Sequence, residues 1–319
     1  MRVILAVDGS AAATDAVALV EAIAWPQDSV LRVISVIEPT FPALEPWYRG
    51  AATAPTVDEA ITAYTHDTLG SVVERLQSSG RSVEGEVLRG RAASAIVDDA
   101  RAFGADLLVV GSRGHGTIES LLLGSVSGEV ADHAECPVLV ARTTELARVV
   151  FATDGSSSAA AAERILSAWP IFDGLQVRVV SVANVVRPWM TGLAPTMYEP
   201  VLAAYAVDLR EATVEHERLA AETVTRLRDV GRAADPEVRA GDAAAEILAI
   251  VEQQRADLVV LGSRGHTGVT RLLLGSVARN VLAGSTASVL IVRDGTEQPA
   301  EARSAPDVTG SKVVLSDDA

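Results

Sequence analysis

Lysine is almost missing from this sequence, and its scarcity excludes two kinds of chemistry. Lys312 is the only lysine among 27 basic residues in a chain of 319. A Walker-type phosphate loop places a lysine after its glycines, and a Schiff-base mechanism uses a lysine amine as the nucleophile. We therefore expect neither a lysine-dependent phosphate loop nor a Schiff-base enzyme.

Cysteine and long apolar runs are also scarce. Cys136 is the only cysteine, which excludes an intramolecular disulfide and a cysteine-rich zinc site and favours a reducing, cytoplasmic compartment. We interpret Cys136 as a small buried apolar residue ahead of a strand. The apolar runs fall short of the roughly 20 residues that a membrane-spanning helix needs. Residues 1–7 lead straight into a strand, so neither a signal peptide nor membrane association is expected.

Positive charge is in short supply as well. The formal net charge is −15, with a pI near 4.8, and such a chain repels phosphate backbones at long range. Binding to nucleic acid is therefore not expected, and a nucleotide would have to be held by local dipoles. Hydrophobic residues make up 49% of the chain and aromatic residues only 4%. The length therefore suits two domains whose cores are mainly Ala, Val, Leu and Ile.

The pattern Gly-x-x-Gly-x9-Gly-Ser occurs twice, at 111–125 and 262–276. Each copy follows an apolar run typical of a buried strand and precedes a segment with helical spacing. Glycines let the backbone turn sharply and approach a ligand closely. The start of the following helix adds N–H groups and the positive end of its dipole. We interpret the pattern as a phosphate site, and the alternative is that the glycines only make tight turns.

A second repeated element is Asp-Gly-Ser, which ends the first strand of each half. Asp8 follows the apolar residues 3–7, and Asp154 follows residues 149–153. The triplet is either a strand-end turn with a helix N-cap or a carboxylate placed for a ligand. Because ligands of open α/β sheets bind at the carboxyl ends of the strands, its repetition favours the ligand role.

Strands and helices alternate through both halves, which predicts for each half a five-stranded, mostly parallel sheet with helices on both faces. The fold class is therefore α/β, with two tandem doubly wound domains. We place the domains at 1–143 and 148–293, and the polar composition beyond them predicts a disordered tail over 294–319. The third strands are expected at Ser82–Arg89 and Glu237–Ala240.

Long amphipathic helices are predicted over Val57–Ser79 and Val201–Val230. His66 and His216 lie on them, and we interpret both histidines as solvated or packed on the helix rather than as ligands. A stretch that contains several prolines precedes each helix, which is typical of a lid or binding loop.

With these repeated motifs in place, the chain resembles a tandem member of the universal stress protein family. The resemblance implies a strand order of 3-2-1-4-5 in each half, with the topological switch between strands one and four, where Asp8 meets the Gly111 loop. It also implies an intramolecular pseudo-dimer, with the last strands Val138–Val140 and Val289–Val292 at the junction. A homodimer of the whole chain is compatible with the sequence, which does not decide it.

The resemblance further implies one ATP site per half, with Mg²⁺ bridging the phosphates and no dedicated metal site in the protein. In that reading the glycines and serines hold the phosphates, the valines bond adenine through their backbones, and the aspartates contact the nucleoside. The positions carried over are Asp8, Val36, Gly111, Arg113, Gly114, Gly124, Ser125 and Val126 in the first half, and Asp154, Val182, Gly262, Arg264, Gly265, Gly275, Ser276 and Val277 in the second. One departure, Ala287-Ser288 in place of Cys136-Pro137, is expected to affect a sheet edge and not the pocket.

Three functions compete at this point. The first, which we favour, is a nucleotide-dependent regulatory or stress-response protein whose conformation or partner choice follows ATP occupancy. The second is a slow ATPase that uses the same pockets, and the third is a scaffold that binds a different small ligand. No catalytic residue is assigned, because His115 and His266 come without a recognisable orienting partner or positioned water. Arg113 and Arg264 either pair with phosphate or point to solvent.

Overall fold

Two similar halves make up the part of the chain that the computed structural model describes, residues 1–38, 57–114, 123–185, 197–265 and 273–294. The first half contains β1 (Arg2–Ala6), α1 (Ala11–Ala22), β2 (Val30–Ile37), α2 (Val57–Gln77), β3 (Ser82–Arg89), α3 (Ala92–Phe103), β4 (Leu107–Gly111), α4 (Ser125–His133) and β5 (Val138–Ala141). The second half contains β6 (Arg148–Ala152), α5 (Ser157–Ala168), a 3₁₀ turn (Pro170–Phe172), β7 (Gln176–Ala183), α6 (Tyr198–Asp229), β8 (Ala233–Ala240), α7 (Ala243–Gln254), β9 (Leu258–Gly262), α8 (Ser276–Gly284) and β10 (Ser288–Val292).

All ten strands join in one sheet, in the order β3-β2-β1-β4-β5-β10-β9-β6-β7-β8. Read from its outer edge, each half has the order 3-2-1-4-5, so the predicted fold class and strand order are confirmed. The pairing of β5 with β10 is antiparallel, and the other pairings in this sheet are parallel. The switch between β1 and β4, and between β6 and β9, lies where it was expected.

Helices cover both faces of the sheet, as the alternation of strands and helices predicts. Helices α1, α2, α5 and α6 bury residues such as Leu19, Leu76 and Leu227 against one face. Helices α3, α4, α7 and α8 bury residues such as Ile96 and Ile250 against the other. Because both faces are covered, β5 and β10 are buried at every position, as in other parallel sheets of this kind. The polar chemistry is thus confined to the ends of the strands.

One strand begins earlier than its sequence suggests. β8 starts at Ala233 instead of Glu237 and includes Pro236, which pairs with Val179 of β7. Proline lacks an N–H, but β8 is the outermost strand, so no further neighbour needs that donor. The long helices agree with the prediction to within three residues at either end. Within the described ranges, no helix is both long and apolar enough to cross a membrane.

Cys136 lies just before β5 and packs partly against the core. Burial raises the pKa of its thiol to about 12, so the thiol stays protonated at neutral pH and supplies little thiolate nucleophile. Its interpretation as a small apolar residue is supported, although the side chain is half-buried and not fully enclosed.

The halves meet at the β5–β10 pair, which confirms the predicted junction. Leu139 faces Leu290, with Val140–Val289 and Val138–Ile291 on either side, so the pairing is symmetric about its centre. Each strand supplies the partner that the other would lack as a sheet edge. The junction strands are therefore in the middle of the sheet, which corrects the expectation that the change at Ala287-Ser288 affects an edge.

Ser288 ties the two halves together by hydrogen bonds. Its hydroxyl oxygen accepts the backbone N–H groups of Arg142 (3.0 Å) and Thr143 (3.1 Å) and lies 2.8 Å from Thr143 Oγ1. The side chain is fully buried. The equivalent residue in the first half, at the same spacing from its glycine pattern, is Pro137. This part of the junction is consequently asymmetric.

Two arginines cross the junction in opposite directions. Arg142, after β5, donates from Nη2 to the carbonyl of Leu282 near the end of α8 (2.7 Å). Arg293, after β10, donates from Nη2 to the carbonyl of Ala131 near the end of α4 (2.7 Å). Helix carboxyl ends carry unpaired carbonyls and partial negative charge, so each half stabilises the end of the other half's helix.

We expect Ser288→Ala to lower the free energy of unfolding by about 1–2 kcal/mol, because two partly buried N–H groups lose their acceptor. Urea denaturation followed by circular dichroism measures the change. Ser79→Ala, at an exposed position in the turn after α2, is the control and should leave stability unchanged. Equal stability of the two variants would contradict the assigned role of the Ser288 hydroxyl.

Candidate functional site

The carboxyl ends of β1 and β4 bring the two repeated motifs together. A methyl group at Gly114 would lie 2.6 Å from Asp8 Oδ2, and one at Gly265 would lie 2.7 Å from Asp154 Oδ2. In each half the aspartate of the Asp-Gly-Ser turn therefore lies directly against the second glycine of the pattern. The predicted meeting of these residues is confirmed, and it occurs at the topological switch point where doubly wound sheets bind ligands.

The Asp-Gly-Ser turn also proves to be a helix N-cap. In the first half, Ser10 accepts the N–H of Ala13 through its hydroxyl oxygen (3.2 Å), and Asp8 Oδ1 accepts the N–H of Ser10 (2.9 Å). Gly9 has φ +80°, a conformation that side chains disfavour. The second half repeats the arrangement at Asp154, with φ +79° at Gly155. Both interpretations of the triplet thus fit one geometry.

The capping serines hold the glycine loop as well. Ser10 donates its hydroxyl proton to the carbonyl of Arg113 (3.2 Å), and Ser156 donates to the carbonyl of Arg264 (3.1 Å). In the second half Ser158 adds a short bond to the same carbonyl and accepts the Arg264 N–H at 3.2 Å. The loop after β4 or β9 is therefore fixed to the start of the helix that follows the first strand.

The first glycine of each pattern is required by packing. A methyl group at Gly111 would lie 2.8 Å from the backbone of Ala12, and one at Gly262 would lie 2.7 Å from the amide nitrogen of Ala159. These distances are shorter than a carbon tolerates against backbone atoms. At these two positions the glycine lets α1 or α5 approach the strand, which differs from the expected approach of a ligand.

The third glycine of each pattern does not offer its amide to a ligand. Gly124 donates its N–H to the carbonyl of Ser112 (2.7 Å), and Gly275 donates to Ser263 (2.8 Å). The expectation that these amides bind phosphate is therefore wrong, because the loop closes on itself through them. Their carbonyls take part in the first turns of α4 and α8.

The donors that remain are at the first turns of α4 and α8. These helices have no side-chain cap at their N-termini, in contrast to α1, α5 and α7. Among the described residues, no hydrogen bond engages the amides of Ser125, Val126, Ser276 or Val277. Ser125 and Ser276 are exposed. An uncapped helix start has the dipole and the N–H donors that favour an anion.

Val36 and Val182 expose backbone groups at the opposite end of the crevice. The carbonyl of Ile34 accepts the N–H of Val7 from the β1 side, and the carbonyl of Ile37 accepts Gly90 from the β3 side. Because backbone groups alternate along a strand, those of Val36 face β1 at the level where β1 has ended. In the second half the carbonyl of Val180 accepts the N–H of Thr153, and the carbonyl of Ala183 accepts the N–H of Gly241. By the same alternation, the backbone groups of Val182 face β6 at the level where β6 has ended. Each valine thus offers one donor and one acceptor above the strand end.

In the second half these groups surround a cavity of about 690 Å³, within the size range of small-molecule sites. The walls include all the predicted positions from Asp154 to Val277: Asp154, Val182, Gly262, Arg264, Gly265, Gly275, Ser276 and Val277. Helix α6 adds the polar side chains of Glu215, His216 and Arg218 to the wall. The eight positions assigned from the sequence are therefore brought together around one space.

The two motif arginines turn toward the junction. Arg264 lies 3.4 Å from Asp294 as an ion pair, with its side chain 16% exposed, so it does not simply point to solvent. Burial, and next the charge of Arg113, lowers the pKa of Arg142 to about 10. Burial and the charge of Arg264 likewise lower the pKa of Arg293. Each motif loop is therefore electrostatically coupled to the arginine that reaches into the other half.

His216 is a site residue that the sequence interpretation missed. Its Nδ1 lies 2.7 Å from the hydroxyl oxygen of Ser181, which itself donates to the carbonyl of Thr153 (2.8 Å). Since the serine proton is used, the imidazole Nδ1–H is the donor to Ser181. Aligning α2 with α6 would have provided a signal, because the residue equivalent to His216 is Thr65.

Some sequence predictions lie outside the described residues. These include His115 and His266, most of both proline-containing stretches, and the tail from 295 onward. Within the parts of the chain that the structure describes, no three His, Cys, Asp or Glu side chains form a group able to hold a metal ion.

The topology defines a doubly wound α/β protein that contains the same crevice-forming motifs twice, at the switch points of its two halves. The sequence model of the universal stress protein family matches residues 1–142 and again residues 145–293. The chain belongs to the universal stress protein family and contains two copies of its domain in tandem. The resemblance drawn from the glycine motifs is thereby confirmed.

Several known proteins are similar to this chain over one or both halves. A universal stress protein of Mycobacterium tuberculosis strain H37Rv is 29% identical over 316 residues, covering 92% of this chain and 95% of that protein. A shorter one from Thermus aquaticus is 36% identical over 141 residues, covering 44% of this chain and 97% of that protein. A crystal structure of a universal stress protein from Archaeoglobus fulgidus matches with a TM-score of 0.60 at 19% identity, covering 92% of this chain and 98% of that one. It supports the fold.

Gly262 and Gly275 have different structural roles, so their alanine variants form a matched pair. Gly262→Ala should lower the free energy of unfolding by about 1–3 kcal/mol, because the methyl group has to displace α5. Gly275→Ala places its methyl group 3.5 Å from the nearest atom, at φ −64°, and should cost no more than about 0.5 kcal/mol. Urea denaturation compares the two, and equal losses would contradict the packing role of Gly262.

Proposed function

We propose that this protein is a nucleotide-dependent regulatory protein that binds one ATP in each half. The observation that carries the proposal is the pair of uncapped helix starts, at Ser125 and Ser276, with unbonded amides directed at the crevice. A net charge of −15 disfavours long-range capture of an anion. Local donors at a helix start are then the means by which such a chain holds a triphosphate.

The proposed pose runs from the helix start to the end of the second strand. The phosphates lie at the amides of Ser125 and Val126, or of Ser276 and Val277, beside the Gly114 or Gly265 loop. The adenine edge, which pairs a donor with an acceptor, meets the backbone of Val36 or Val182. Asp8 and Asp154 lie between these ends, in reach of ribose hydroxyls. A Mg²⁺ ion held by the phosphates completes the site, since hard cations prefer phosphate oxygens and water to an all-protein cage.

Binding, and not turnover, is the proposed activity. Hydrolysis requires a group that orients or deprotonates water beside the terminal phosphate, and the carboxylates nearest the loop, Asp8 and Asp154, already accept the amides of Ser10 and Ser156. ATP occupancy would instead fix the loops whose arginines, Arg113 and Arg264, act electrostatically on Arg142 and Arg293, and so bear on the junction. We place the two binding domains at 1–143 and 148–293, as proposed from the sequence.

Ser125→Asp and Ser276→Asp test the phosphate site without damaging the fold. A carboxylate in the first turn stabilises a helix by about 0.3–1 kcal/mol, yet it repels a triphosphate placed there. Each variant should weaken ATP binding at its own site by about a hundredfold or more. Native mass spectrometry counts the bound nucleotides, and calorimetry with Mg²⁺ and ATP gives the affinities.

The matched control is Ser79→Asp, which adds the same charge at an exposed position near the amino ends of the strands. It should bind ATP as the unmodified protein does. If Ser125→Asp/Ser276→Asp retains ATP at unchanged affinity, the helix starts are not the phosphate site and the proposal is wrong. Phosphate release that persists in this double variant would have to originate outside these pockets.

A further inference from the structure

The two crevices differ on the helix that faces the strand ends. The sequences of helices α2 and α6 align through their buried residues, Leu69 with Ala220 and Leu76 with Leu227. The offset of 151 residues is the same as between Gly111 and Gly262. On this alignment Tyr64 corresponds to Glu215, Thr65 to His216, Asp67 to Arg218 and Thr68 to Leu219. Each polar residue that α6 contributes to the second crevice is thus a different residue on α2.

Tyr64 lies across the strand end in the first half. Its hydroxyl oxygen would be 2.7 Å from a methyl group at Gly9, and Thr68 Cγ2 would be 3.4 Å away. The phenol therefore bridges α2 and the Asp8-Gly9-Ser10 turn. In the second half Gly155 and Glu215 instead line opposite sides of the 690 Å³ cavity. In the first half the ring of Tyr64 therefore occupies space that corresponds to open cavity in the second half.

Polar groups favour the second crevice as well. His216 donates to Ser181 at the base of the cavity, which presets the imidazole beside the ligand space. In the first half Thr65 turns back to its own helix and donates to the carbonyl of Ile61 (2.8 Å). The second crevice is thus lined by a fixed polar side chain that the first crevice lacks.

The phosphate end of the second site is anchored from the first half. Asp132 of α4 accepts the N–H of Leu274 (3.2 Å) and pairs with Arg279 of α8 (2.9 Å). Leu274 immediately precedes Gly275, so this carboxylate fixes the point where the loop enters the helix. The residue equivalent to Asp132 in the second half is Ala283, whose methyl side chain cannot make the corresponding contact to the first half.

We propose that the two sites are unequal: the second binds nucleotide more tightly, and Tyr64 weakens the first by lying where the nucleoside would enter. The inference rests on the proposed ATP function and adds an order of filling to it. Tyr64 is 54% exposed, so the ring can leave the strand end when a ligand competes for it. Preorganised sites bind more tightly because no ordering or displacement has to accompany binding.

Single-site proteins test the order. Ser125→Asp leaves the second site intact, and Ser276→Asp leaves the first. ATP should bind the Ser125→Asp protein about tenfold more tightly than the Ser276→Asp protein. Calorimetry with MgATP gives both dissociation constants, and native mass spectrometry of the unmodified protein at limiting ATP should show a one-nucleotide species before the two-nucleotide species.

Substitutions at Tyr64 and at its counterpart Glu215 then test the role of the tyrosine ring. Tyr64→Ala in the Ser276→Asp protein should tighten binding about fivefold or more, and Glu215→Tyr in the Ser125→Asp protein should weaken it by a similar factor. Glu211→Tyr, one turn earlier on α6 and outside the cavity walls, makes the same chemical change and should have no effect. Thermal melting checks that each variant is folded.

The outcomes separate the two proposals. If the unmodified protein binds ATP but the single-site proteins have equal constants, or if Tyr64→Ala leaves the first site unchanged, the inequality is wrong and the ATP function stands. If the first site is the tighter one, the inequality is reversed and the inference is overturned. If the unmodified protein binds no ATP, the proposed function fails and this inference fails with it.

Discussion

The arrangement of each site depends on one hydrogen bond, from a helix-capping serine to a carbonyl in the glycine loop. Ser10 and Ser156 each cap the helix after the first strand and donate to Arg113 or Arg264 across the switch point. The bond joins the two strands whose ends form the crevice. With the loop held there, Gly124 and Gly275 close it internally, and α4 and α8 begin with their amides toward the same space. The amides that we propose as phosphate donors are thus positioned by the protein itself.

The sites are also parts of one larger sheet. The motif arginines lie near Arg142 and Arg293, which cross to the helix ends of the opposite half. A change in the charge held by one loop therefore acts on a buried contact in the other half. This coupling needs no long pathway, because the loop, the last strand and the crossing arginine are adjacent in space. If nucleotide binds as proposed, this proximity gives its occupancy a physical route to the junction between the halves.

The sequence predicted the shared features of the halves well and their differences poorly. Alternating strand and helix patterns, with Asp8 and Gly114 at strand ends, were enough for the fold and for the location of the crevice. The roles of individual glycines were not predictable. The contact of Gly111 with α1 joins segments that are far apart in the chain, and the internal bond of Gly124 depends on how the loop closes. A glycine pattern looks the same whether a helix or a ligand approaches it.

The differences were hidden by the repeat itself. A duplicated motif directs attention to equivalent residues, whereas Tyr64 and Glu215 matter because they are not alike. Asp132 offers no local signal at all, since its partners Leu274 and Arg279 are more than 140 residues away in the chain. The crevice could be located from the sequence, but the wall that faces it depends on how α2 and α6 pack over the strand ends.

The difference between Ser288 and Pro137 bears on which halves can pair across the junction. A two-fold pair of identical halves from different chains would place proline in both positions or serine in both. Only the pairing of unlike halves places one serine hydroxyl at the amides of Arg142 and Thr143. At the equivalent position in the first half, Pro137 has no hydroxyl to contribute. Joined in one polypeptide, the unlike halves are also always within reach of each other. The junction is thus matched to the pairing of a first half with a second half and not to the pairing of two like halves.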